Sequence, residues 1–199
     1  MYRSSLLLAS VFILFSTITQ GENRTALFAG GCFWCMESPF DKLAGVIETT
    51  SGYAGGSLEY PTYKEVSTGE TTHLEVVQVT YDPEKSSFKK LLEVFWVNID
   101  PSDSLGQFCD RGSSYLTAIF YGSKNEEKLA QYSKNYVARI IKQPIATKLV
   151  KLTKFWPAET YHQDYYKKNP KRYRFYRKKC GRDRRLKELW ASKPLVLDI

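Results

Sequence analysis

The segment Ala29-Gly30-Gly31-Cys32-Phe33-Trp34-Cys35 holds the residues best suited to chemistry in this 199-residue chain. Cysteine is a strong nucleophile near neutral pH and also a two-electron redox centre. Cys32 follows two glycines at the exit of an apolar run, Ala26 to Ala29, and an aromatic pair separates it from Cys35. Glycines at such a place let backbone N–H groups and a ligand come close. Formally, Cys32 and Cys35 make a Cys-x-x-Cys pair, a pattern used in thiol–disulfide exchange or as half of a zinc site. Zinc needs two more ligands, and Cys109, Cys180, His73 and His162 are unpaired in sequence, so no metal is expected. Exchange wants the pair after a strand and before a helix, which the sequence offers. The bulky Phe33 and Trp34, and glycines before rather than after Cys32, fit that use poorly.

A carboxylate is the next candidate. In His73-Leu74-Glu75-Val76-Val77, strand alternation sends Glu75 and Val77 to one face and Leu74 and Val76 to the other. If that face is buried, Glu75 has a raised pKa and can donate a proton. The competing reading is a solvent-facing carboxylate on a strand edge. Tyr63 and Tyr115, taken by spacing alone, read as packing residues.

The elements that must position these groups follow from periodicity. Thr25 to Ala29 reads as a buried strand and Phe33 to Leu43 as a helix ended by Gly45. Pro39 complicates that helix, because Ser38-Pro39 is itself a plausible helix start. An early start, with a kink or restart at Pro39, would place Cys32 at a helix N-terminus, where N–H groups favour a thiolate. Val46 to Ser51 reads as a strand, Gly52 to Gly56 as a glycine-rich loop, and Leu74 to Tyr81 as a strand stopped by Asp82-Pro83. A helix capped by Ser86-Ser87 runs to Asn98, followed by a long loop to Gly112. Leu116 to Tyr121 is a strand, Asn125 to Ile141 an amphipathic helix and Ile145 to Leu152 a further strand. Such an order points to an α+β class: a ferredoxin-like split β-α-β sandwich with a mixed or antiparallel sheet. A long irregular C-terminal segment, 153–199, is expected to wrap a core of about 25–152, the whole forming one domain from residue 22 to 199.

Arg3 and the apolar run Leu6 to Ile18 have the form of a signal peptide and are short for a membrane span. Cleavage after Gly21 is expected, which makes residues 1–21 a leader and the protein exported (periplasmic or secreted); an uncleaved anchor is the alternative. In an oxidising compartment the four cysteines can also form two structural disulfides. The net charge of +8 is concentrated between Lys167 and Lys187, where twelve Lys or Arg stand against Asp183. Interleaved Tyr173, Phe175 and Tyr176 raise the idea of nucleic-acid stacking. A solvated face whose long side chains cover the core is the preferred reading, and no nucleic-acid partner is expected. A non-catalytic basic binding module remains the reading furthest from an enzyme.

Taken together, the motifs Gly30-Gly-Cys-Phe-Trp-Cys35, Gly52-Tyr-Ala-Gly-Gly56, Pro61-Thr-Tyr-Lys-Glu-Val66, His73-Leu-Glu-Val-Val77, Gln107-Phe-Cys-Asp-Arg-Gly112 and Tyr161-His-Gln-Asp-Tyr165 resemble those of the peptide-methionine (S)-S-oxide reductases. The resemblance runs in order from about Thr25 to about Trp190. It implies that Cys32 attacks the sulfoxide sulfur, Phe33 and Trp34 wall the methyl pocket, and Glu75 protonates the sulfoxide oxygen. Tyr63 and Tyr115 match hydrogen-bond donors to that oxygen, and Asp110 a polar residue that orders the site. Cys180 looks like the resolving cysteine on a mobile tail, with Cys35 a possible additional redox thiol and Cys109 a packing residue. The implied substrates are free methionine sulfoxide and oxidised peptides and proteins. No cofactor is implied; a thioredoxin-like dithiol is the external reductant, and a monomer is expected. Exchange through Cys32 and Cys35 alone is the alternative function.

Overall fold

A computed structural model describes residues 21–190 and 195–198. The expected leader, residues 1–21, lies outside the described residues except for Gly21. Among the described residues no helix is long and apolar enough to cross a membrane.

The first half of the chain forms β1 (Arg24–Gly30), α1 (Phe33–Asp41), β2 (Val46–Ala54), α2 (Tyr63–Ser67), β3 (Leu74–Tyr81) and α3 (Phe88–Val97). Two short strands, β4 (Gly106–Gln107) and β5 (Asp110–Arg111), then precede β6 (Thr117–Tyr121), α4 (Lys124–Ile141), β7 (Lys148–Lys151) and β8 (Trp156–Pro157). The chain closes with α5 (Tyr165–Lys168), α6 (Pro170–Lys179) and α7 (Arg182–Trp190). The architecture is α+β, with a mixed six-stranded sheet in the order β7-β6-β1-β3-β2-β8. Its pairs are antiparallel except β6 with β7.

The apolar run of β1 follows from its place inside this sheet, buried on both faces. Ala26 and Phe28 enter the large core that α1, α3 and α4 cover. Leu27 and Ala29 join Val76, Ala118 and Phe120 in a smaller cluster on the other side. Phe28 stacks on Phe40 of α1 and Phe95 of α3, each at 5.2 Å, and so ties the strand before the cysteine to the helix after it. On β3, Val77 and Val79 lie in the large core, so alternation turns Glu75 toward the helices.

Two expectations are corrected. β2 continues through Gly52-Tyr53-Ala54, part of the expected loop, because Tyr53 is fully buried and pairs with both Glu75 and Trp156. Gly52 is required there: a Cβ would lie 2.4 Å from the Phe155 ring and from the Trp156 carbonyl oxygen. Second, the C-terminal segment is not irregular; α5, α6 and α7 occupy most of residues 165–190. Pro170 opens α6 at its first position, and Gly181, at φ +69°, turns the chain into α7. Tyr165 of α5, Tyr173 of α6 and Leu186, Leu189 and Trp190 of α7 supply the buried apolar groups of these helices. So sparse an apolar period was masked by the surrounding Lys and Arg.

Candidate active site

The nucleophile candidate sits where β1 hands over to α1. Cys32 is the N-cap, 6% exposed, and the helix runs unbroken from Phe33 with Pro39 inside it, so the early start holds and there is no restart. The two glycines serve packing rather than ligand approach. A Cβ on Gly30 would meet the Met36 sulfur at 2.6 Å, and one on Gly31, at φ +79°, the Gln107 Cβ at 2.5 Å. Gln107 is itself fixed, its amide donating to the Asp100 and Gly106 carbonyls at 2.7 and 2.9 Å.

Glu75 reaches the same helix end. The Phe33 N–H donates to its Oε2 at 3.0 Å, which ties β3 to the residue after Cys32. Burial pushes the Glu75 pKa up to about 8; the Phe33 hydrogen bond opposes this, and Asp110 and Cys35 add to it. Glu75 is therefore a neutral carboxylic acid at pH 7, and the buried-face alternative wins over the solvent-facing one.

The thiols behave differently from the helix-end expectation. Burial, then the hydrogen bond to Cys35 and the negative charge of Cys35, Glu75 and Asp110, holds the Cys32 thiol well above its ordinary pKa. Cys35 is pulled down, chiefly as partner in that hydrogen bond, then by Arg182 and Arg177, against its own burial. The first N–H of α1 is given to Glu75 rather than to Cys32. Thiolate character lies with Cys35.

Aromatic groups form the walls. Phe33 is buried and Trp34 half-buried. Trp34 stacks on Tyr165 at 3.7 Å and meets Tyr176 edge-on at 5.9 Å. Its indole N–H donates to His162 Nδ1 at 3.0 Å, which leaves the imidazole proton on Nε2, a buried atom without a partner. Burial lowers the His162 pKa, so the ring is neutral, packed against Phe33 at 4.9 Å and Tyr63 at 4.4 Å. Tyr63 opens α2, where Thr62 and Glu65 form a capping box. The Tyr63 N–H donates to Glu159, which also accepts from the Tyr53 hydroxyl, at 2.8 Å each. The Tyr63 and Tyr115 hydroxyls are neighbours, and burial raises both pKa values. Asp110 accepts from the Tyr176 hydroxyl at 2.5 Å, and burial raises its pKa too.

Cys32, Phe33, Trp34, Tyr63, Glu75, Asp110 and Tyr115 are thus gathered in one place, as the motifs implied. Cys180, expected as the resolving thiol, is joined by a disulfide to Cys109, while Cys32 and Cys35 are free and buried. The packing role expected for Cys109 is corrected, since that residue is exposed. Roles for His162, Glu159, Tyr165, Tyr176 and the buried Arg182 were not read from the sequence. Tyr161 to Tyr165 was noticed as a motif, but nothing in its spacing tells a wall residue from a core one. A surface cavity of about 890 Å³ beside α2, lined by residues such as Leu58, Glu59, Lys64 and Glu70, does not reach Cys32.

A model of the family described as peptide methionine sulfoxide reductase matches residues 24–194. The chain is 52% identical over 174 residues to the peptide methionine sulfoxide reductase MsrA of Bacillus licheniformis, covering 86% of this chain and 96% of that one. Among solved structures, it is similar to Mxr1 from Saccharomyces cerevisiae in reduced form, with a TM-score of 0.70 and 31% identity over 75% of this chain and 87% of that one. The yeast protein in complex with Trx2 matches with a TM-score of 0.51 and 21% identity over 75% and 90% of the two chains, a likeness of fold.

Proposed function

The chain belongs to the peptide methionine sulfoxide reductase family, and from that premise we propose that it reduces the S epimer of methionine sulfoxide, free and in oxidised proteins. The observation that carries this reading is a neutral, buried Glu75 held by the amide next to Cys32. A sulfoxide oxygen leaves only once protonated, so an acid that keeps its proton at pH 7 beside a nucleophilic sulfur is the arrangement the reaction needs.

The step is written with Cys32 attacking the sulfur of a substrate whose methyl group lies between Phe33 and Trp34. Glu75 passes its proton to the sulfoxide oxygen, and the Cys32 proton moves to the Cys35 thiolate. In this reading Tyr63 and Tyr115 donate to that oxygen, and Asp110 accepts from the Tyr176 hydroxyl beside them. The hydroxyl passes from the substrate sulfur to Cys32 as the substrate S–O bond and the new Cys32–sulfur bond break. The thioether departs with the electron pair, Cys32 becomes a sulfenic acid, and Glu75 is left as a carboxylate that recovers its proton from solvent. Cys35 then condenses with the sulfenic acid, forming the Cys32–Cys35 disulfide and releasing water. Cys35 receives this role because it is the free thiol on the same helical turn as Cys32, its N–H donating to the Cys32 carbonyl at 3.0 Å, whereas Cys180 resolves only when its bond to Cys109 is open. A thioredoxin-like dithiol restores the two thiols; the yeast relative's complex with Trx2 supports that choice. We further read the inner strands as the ferredoxin-like split β-α-β plan, residues 22–199 as one domain acting as a monomer, and the N-terminal run as an export signal.

Incubating residues 22–199 with dithiothreitol and the two sulfoxide epimers of a blocked methionine tests this reading. Loss of the S epimer alone is expected; equal loss of both, or of neither, would sink it. Mass mapping after one turnover without reductant should find Cys32 bonded to Cys35. The hydrogen-bonded Cys32–Cys35 pair also favours a second reading, disulfide exchange. That activity would not depend on Glu75, so Glu75→Gln separates the two.

A further inference from the structure

Cys35 is 1% exposed and Cys32 6%, so a disulfide between them would lie beneath the surface. Over Cys35 the cover is the C-terminal helical segment: Tyr165 and Tyr173 pack with Cys35, and Trp34, Tyr166 and Tyr176 border that cluster. Thiol–disulfide exchange needs direct approach to a sulfur atom, and a folded dithiol protein cannot reach one through a packed helix. The cover must therefore move before that exchange occurs.

Its fastenings are visible. At the α5 end, the Tyr166 hydroxyl and the Lys167 ammonium meet the Asp41 carboxylate at 2.7 and 2.8 Å. Beyond α6, Arg182 is sunk beneath the surface, donating to the Gly30 and Asn98 carbonyls at 3.1 and 2.8 Å. Between these points the covalent tie is the bond from Cys180, at the end of α6, to Cys109. Cys109 is exposed and adjoins Asp110, the acceptor for Tyr176 one turn before Cys180 on α6. One disulfide thus fixes both the cover and its contact with the site, and it presents a sulfur to solvent.

We infer that the Cys109–Cys180 disulfide is a second site for a thioredoxin-type dithiol, one whose reduction releases α6 and uncovers the Cys32–Cys35 pair. One dithiol opens the outer bond, giving two protein thiols and the oxidised reductant; a second dithiol then reduces the inner disulfide in the same way. The inference extends the sulfoxide-reductase reading by naming the partner's first point of attack.

Its first test involves no sulfoxide. In a Cys32→Ser background, Cys35 is alkylated with iodoacetamide with the outer disulfide intact, and again in the triple variant with Cys109→Ser and Cys180→Ser. At least tenfold faster labelling of Cys35 is expected in the triple variant; equal rates overturn the inference. The second test uses the unaltered chain with both disulfides formed, treated with one equivalent of a thioredoxin-type dithiol and mapped by mass spectrometry. Cys109 and Cys180 should appear as thiols first, and prior opening of Cys32–Cys35 overturns the proposal. Because the labelling test needs no turnover, its result is independent of whether the chain reduces sulfoxides.

Discussion

At the residue scale, burial sets the chemistry. Strand alternation placed Glu75 on one face with Val77, but only the packing of α1 over β3 made that face dry. The same packing reversed the expectation for Cys32, because desolvation outweighs a helix terminus whose first N–H is already engaged. Glu75→Gln keeps the shape and the Phe33 hydrogen bond but removes the proton. It should lower kcat by roughly 10²–10⁴-fold, with KM changing little, in steady-state assays with dithiothreitol. In the unaltered enzyme, kcat should fall as pH rises through about 8, where Glu75 ionises. The same shift bears on stability. Since the folded pKa of about 8 lies above the ordinary 4.5, the native state keeps a proton that the unfolded chain gives up between those values. The contribution is full below about pH 4.5 and is lost as pH rises through about 8. Urea midpoints should therefore show Glu75→Gln gaining stability relative to the native sequence between pH 6 and pH 9.

At the scale of elements, the strands β1, β2, β3, β6 and β7 and the helices α1, α3 and α4 were legible from their apolar patterns, whereas the two-residue strands β4, β5 and β8 were not. Boundaries moved where a tertiary partner took over, as when Trp156 drew Tyr53 into β2. The C-terminal helices were not legible, since their few buried residues stand among twelve Lys or Arg whose charges read as a solvated face. Arg182 shows why composition misled: it is 1% exposed, with its guanidinium shared among two carbonyls, the Met36 sulfur and the Phe108 ring. It anchors the start of α7 as a core residue does. Arg182→Met leaves the Gly30 and Asn98 carbonyls without that donor and should cost about 2–4 kcal/mol, read from the urea midpoint at constant m-value.

For the whole molecule, covalent topology matters most. The Cys109–Cys180 bond spans 71 residues, so it restrains a long stretch of unfolded chain. Its removal by Cys109→Ser with Cys180→Ser should cost about 2–4 kcal/mol in urea unfolding. Excess dithiothreitol should destabilise the native sequence by a similar amount and leave the double variant unchanged. Neither cysteine announced the other: one lies in a loop and one at a helix end, in segments far apart along the chain. By itself the sequence determined the reactive group and its neighbours along the chain, the strand that carries the acid, and the family to which the motifs belong. These are properties of local order and periodicity, which a linear text records. Only the tertiary structure decided which carboxyl is neutral, which thiol carries negative character, and which cysteines are bonded. Each of those depends on desolvation or on distances between remote segments, and both arise only when the sheet, its helices and the C-terminal cover are packed together.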